Sequence, residues 1–70
     1  MDPNANVQER ITLLKQDTWT REDVDRLEEL HDAYNEWRSM GGFPADIALL
    51  EELQTVLREA ANRRILGRNR

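Results

Sequence analysis

The single histidine of the chain, His31, follows Glu28 by three residues in "EELH", a spacing that brings two side chains to neighbouring positions on a helix. In di-iron helical bundles a Glu-x-x-His pair supplies two metal ligands, and such a centre needs two copies of the pair plus further inward-facing glutamates. This chain carries one copy, so a second chain would have to supply the other. At 100° per residue His31 falls among Val24, Leu27 and Tyr34, whereas Glu28 falls at the border of an acidic side. The pair does not converge, and the expectation is a histidine at the edge of the core, with no metal and no cofactor. Ser39, the only serine, has no acid aligned with both it and His31. A nucleophile and base pair is therefore unsupported, and no enzymatic activity is expected.

The elements that must position these side chains are helices in a small, acidic chain. Seventy residues make one domain, and a chain of this size buries only about 60% of the surface its unfolded form exposes. Cysteine is absent, which removes the disulfides and Cys/His zinc sites that often brace small folds. No apolar run approaches the roughly 20 residues of a membrane helix, and "MDPNANVQER" lacks the basic start and apolar stretch of a secretory leader. The expectation is a soluble, cytoplasmic protein.

Apolar periodicity predicts three helices, at about 5–16, 21–39 and 44–66, followed by a basic tail at 67–70. The first, with Asn4 or Asn6 as its cap, has a narrow stripe of Val7, Ile11 and Leu14. The second opens at Thr20, which can accept from the Asp23 N–H, with Glu22 and Asp23 at the positive end of the helix dipole. It ends at Gly41, a residue type that takes a left-handed conformation without strain. In the third, Pro44 suits a first turn and Gly67 a stop. Its apolar residues, from Ile47 through Leu53, Val56, Leu57 and Ala60 to Ile65, fill about half the circumference, too much for one neighbour to cover. The fold class is all-α: a small three-helix bundle with a long C-terminal helix as its spine. Dimerisation through that helix is a second way to cover the arc.

Three of the four aromatic residues lie in "YNEWRSMGGFP". Tyr34, Trp37, Met40 and Phe43 form either an aromatic plug closing one end of the bundle or a partner-binding patch, for which Trp, Tyr and Met are enriched types. Gly41 and Gly42 suit both, as a tight turn or as a place of close backbone approach. Trp19 is expected to plug the opposite end.

Charge is the other informative feature, with a formal net value of −4. Asp25, Glu28, Glu29, Asp32 and Glu36 occupy one side of the second helix with no base among them. Like charges three or four apart cost roughly 0.2–0.5 kcal/mol per pair, so the strip favours a basic surface laid across it. Arg63, Arg64, Arg68 and Arg70 cluster at the other end, where they complement a helix dipole or contact phosphates or an acidic partner. Direct nucleic-acid binding is the weaker reading, because the net charge is opposite to a phosphate-binding footprint and the third helix lacks a polar recognition side. The function expected from these residues is a non-enzymatic interaction module. It would be a small regulator, adaptor or inhibitor of bacterial or phage type that occupies a basic partner surface. The alternative is a nucleic-acid-associated protein that touches phosphates through its C-terminal arginines.

Overall fold

In the computed structural model, which describes the backbone of residues 1–68 and the side chains of residues 1–63, helix α1 spans Pro3–Leu14. The Asp2 carboxylate caps it by accepting from the backbone N–H groups of Asn4 (3.0 Å) and Ala5 (3.2 Å), with Pro3 in the first turn, where its missing N–H costs nothing. The expected start near residue 5, with Asn4 or Asn6 as cap, is thus corrected, as is the expected end near residue 16. Both asparagines have tertiary work instead. Asn4 Oδ1 accepts from the Asp46 N–H (2.8 Å), and buried Asn6 donates from Nδ2 to Leu30 O (2.9 Å).

Helix α2 spans Arg21–Ser39 and opens as expected. Thr20 and Asp23 exchange reciprocal side-chain to backbone bonds of 3.1 and 3.0 Å, a capping box in which aspartate stands at the third position. Its end is a Schellman motif. The Gly42 N–H donates to Trp37 O (2.9 Å) and the Gly41 N–H to Arg38 O (3.1 Å), while Gly41 takes φ +90°.

Helix α3 spans Ile47–Arg68, so its start is corrected from the expected 44. The physical reason lies in two neighbours. The Tyr34 hydroxyl accepts from the Ala45 N–H (3.2 Å) and Asn4 from the Asp46 N–H, and both hold the approach to the helix extended. Asp46 contributes its carbonyl to the first helical bond, from Leu50 N–H (3.0 Å).

The order of packing also differs from expectation. Helix α1 lies in the middle: α2 and α3 each pack against it, whereas among the described residues no Cα of α2 comes within 8 Å of one in α3. The narrow stripe of Val7, Ile11 and Leu14 is buried almost completely, each side chain adding about 1.5–3 kcal/mol through burial. Leu53, Val56 and Ala60 of α3 close over it together with Ala45 from the connection. The wide arc of α3 is therefore only partly covered, and Ile47 and Leu57 remain exposed. A short helix serves as the spine because its two flanks differ. One flank is apolar toward α3. The other faces α2, whose Leu27 and Tyr34 pack at the edge of the core, and carries two polar tethers, the Asn6 bond to Leu30 O and the Glu9 carboxylate on Arg26 Nε (2.7 Å) and Nη2 (3.0 Å). Trp19 packs at the edge of the core and donates from Nε1 to Leu13 O (2.8 Å). Among the described residues no helix is long and apolar enough to cross a membrane.

Candidate partner-binding surfaces

Three surfaces emerge from this arrangement: the turn between α2 and α3, the acidic side of α2, and a cleft between the two outer helices.

At the turn, the Trp37 ring lies against Gly42, and a Cβ built on that glycine would clash with the indole. Trp37 Nε1 donates to Phe43 O (2.8 Å) and Arg38 Nη1 to Gly42 O (2.6 Å), so side chains of α2 satisfy the carbonyls of the turn. The rings of Trp37 and Phe43 meet edge to face at 5.6 Å and 80°, a favoured aromatic geometry. The four residues expected to act together split into two layers. Tyr34 and Trp37 are half-buried and brace the connection, whereas Phe43 is 65% and Met40 71% exposed. Ile47, 73% exposed at the start of α3, was not singled out from the sequence, because its place in the third helix's apolar arc disguised its exposure.

Asp25, Glu28, Glu29, Asp32 and Glu36 of α2 are exposed, but the expectation of no base among them is corrected. Arg21 pairs with Asp25 (3.5 Å), and Arg26 pairs with Glu29 while bridging to Glu9 of α1. The Arg26 hydrogen bond holds the Glu9 carboxyl below its ordinary pKa, and the Glu9 bond raises the guanidinium further above its own. Among the described residues Glu28, Asp32 and Glu36 have no ion-pair partner. Their spacing of four places them in a row along the helix.

The cleft, about 410 Å³, lies between α2 and α3 where both flank α1. Leu14 and Arg10 of α1 line it, with Leu27 on the α2 side and Leu57 on the α3 side. Arg10 is 8% exposed, sits in the apolar stripe between Val7 and Leu14, and has no carboxylate within 4 Å among the described residues. Burial lowers its pKa. Its Nη2 lies 3.1 Å from His31 Nδ1, and Asn35 Nδ2 lies 3.1 Å from His31 Nε2. Arginine can only donate, so Nδ1 accepts and a neutral ring carries its proton on Nε2. The Asn35 amide then turns its oxygen toward Nε2–H, since its O and N positions are interchangeable by assignment. His31 is therefore an exposed partner for Arg10 rather than a core-edge residue packed among leucines. Arg10 itself was legible only as a charge inside a hydrophobic stripe.

Among the described residues no group of three His, Cys, Asp or Glu side chains is placed to hold a metal ion, and the Ser39 hydroxyl donates to Glu36 O within its own helix (2.8 Å). Arg63 turns inward, donating from Nη2 to Leu14 O (3.1 Å) and lying 3.9 Å from Asp17. There it meets the carbonyl end of α1, where a cation complements the helix dipole. Arg64, Arg68 and Arg70 lie outside the residues whose side chains are described.

No protein-family model matches the chain, and neither curated proteins nor solved structures give a significant match to it.

Proposed function

We propose that this protein is a non-enzymatic interaction module, a small regulator, adaptor or inhibitor that works by occupying a partner protein's surface. One observation supports the reading most: Phe43 and Met40 stand exposed on a connection braced by Trp37, Gly42, Arg38 and Tyr34. Apolar side chains held rigidly in solvent lose little conformational freedom on binding, which is the property of an interface anchor. The unpaired acids of α2 would steer a basic partner, since charge complementarity acts mainly on association rate and specificity. A cytoplasmic setting and a bacterial or phage origin belong to the same proposal, the latter by analogy of fold and size alone.

The competing use of the uncovered flank of α3 is a homodimer through Ile47 and Leu57. A net charge of −4 on each copy opposes it, and size-exclusion chromatography with light scattering reads it directly. Phosphate contact through the C-terminal arginines is the second reading, and the inward engagement of Arg63 weighs against it.

Affinity capture from the native host tests the main reading. The wild-type chain should retain a defined protein, and the doubly substituted Met40→Ser, Phe43→Ser chain should lose it while keeping its helical circular dichroism. Equal capture by both would overturn the role of the turn. Neutralising Glu28, Asp32 and Glu36 together should slow association, and an unchanged rate would remove steering.

A further inference from the structure

We propose that the cleft between α2 and α3 receives a basic amphipathic helix from another protein, which lies on α1 as a fourth helix. The inference deepens the reading of the protein as an interaction module and rests on it.

The shape of the cleft points to a helical occupant. Two outer helices that flank a third, with no Cα of one within 8 Å of the other among the described residues, leave a trough in which a further helix can pack its apolar seam. Leu14 supplies an apolar floor, and Leu27 and Leu57 supply apolar walls. Leu57 is 44% exposed, an apolar area a docked helix would remove from water.

The charge on the cleft selects the partner. Glu28 and Asp32 both line it, and Glu36 continues their row one turn further along α2. None of the three has an ion-pair partner among the described residues, in contrast to Asp25 and Glu29, which hold Arg21 and Arg26. Among the described residues the one cation lining the cleft, Arg10, is buried and bonded to His31. Two lining carboxylates against one lining guanidinium leave the entrance negative. A helix with leucine-type residues along one seam and Lys or Arg beside it satisfies both features. A second copy of this chain fits less well: its α3 carries Arg58, Arg63, Arg64 and Arg68 beside Glu51, Glu52 and Glu59, but the net charge of −4 on each copy opposes self-association.

The polar attachment of α2 fits the same role. Asn6 to Leu30 O and Glu9 to Arg26 tether that wall, whereas α3 is held by the main apolar cluster. The Glu9–Arg26 tether is nearly half exposed, so that part of the α2 wall can adjust to a guest at less cost than repacking the core.

The test uses the full chain and an 18-residue synthetic peptide of leucine and lysine, with leucines at helical i, i+3, i+4, i+7 spacing. A control peptide carries glutamate in place of lysine. Amide chemical-shift mapping should place the largest changes around Leu14, Leu27, His31 and Leu57, with the glutamate peptide at least tenfold weaker. Leu57→Lys, and separately Glu28→Gln with Asp32→Asn, alter exposed positions and should leave the melting curve in place while weakening the lysine peptide at least tenfold. Four results would overturn the proposal: no binding at millimolar peptide, equal binding of both peptides, shifts centred on Met40 and Phe43, or indifference to the substitutions. Concentration-dependent shifts of the same cleft residues without peptide would also overturn it, in favour of a second copy as occupant. Failure here with capture still lost in the Met40→Ser, Phe43→Ser chain would leave the broader reading standing. Cleft binding alongside unchanged capture would remove the turn and keep the cleft.

Discussion

Trp37 and Gly42 are matched to one another: the indole covers the glycine so closely that no side chain fits beneath it, and its Nε1–H reaches past to Phe43 O (2.8 Å). The glycine earlier in the pair has a different reason, since Gly41 adopts φ +90° with open space around it. "GG" is thus two requirements side by side, one conformational and one steric.

Gly42→Ala should destabilise the fold by about 1–3 kcal/mol, the usual cost of forcing extra volume into a packed site. In a Trp37→Ala background most of that cost should vanish, giving a coupling energy above about 0.5 kcal/mol in a double-mutant cycle followed by urea denaturation. Additive losses would show that the indole and the glycine do not constrain one another. Gly41→Ala, by contrast, should cost about 1 kcal/mol whether or not Trp37 is present.

Tyr34→Phe removes the only hydroxyl on the Ala45 N–H while leaving the ring in place. Ala45 is 3% exposed, so water has little access to the orphaned donor. The expected loss is about 1–2 kcal/mol, with hydrogen exchange at Ala45 accelerated more than in the centre of α1. Unchanged exchange would mean that the hydroxyl is not the group that holds the connection extended.

Asn6 is a buried amide whose Nδ2 is satisfied by Leu30 O and whose Oδ1 has no partner among the described residues. Asn6→Asp would set a carboxylate against that carbonyl, costing roughly 2–3 kcal/mol at neutral pH. Acidification should recover part of the loss, because a protonated carboxyl can again donate. A melting temperature that matches wild type at neutral pH would show that the α1–α2 contact does not depend on this bond.

Glu9 gives a pH dependence of definite sign. Its carboxyl is held below the ordinary value chiefly by the Arg26 hydrogen bond, so the unfolded chain binds its proton at a higher pH than the folded one. The stabilisation is complete above the unfolded glutamate value, about 4.3, and is lost as pH falls through the lower folded value. Both side chains are nearly half exposed, so the effect should be small and weakened by salt. Glu9→Gln should flatten that part of the acid denaturation curve, and a curve superimposable on wild type would remove the pair from the account of stability.

The sequence by itself determined the number of helices, the start of α2 and its end. Those features rest on local chemistry: apolar spacing at the helical period, the Thr20 and Asp23 capping box, and a glycine for the left-handed turn. It also marked Tyr34, Trp37, Met40 and Phe43 as one cluster, and the α2 acids as one side. Tertiary structure decided which helix became the centre. A wide apolar arc on α3 and a narrow stripe on α1 do not reveal that α1 is approached from two directions, since burial depends on neighbours that no single helix encodes. It also decided that the connection stays extended to Asp46, through bonds from Asn4 and Tyr34 that come from distant parts of the chain. The same separation of α2 from α3 opens the cleft over Arg10, a site that exists only between elements and so leaves no motif in any one of them.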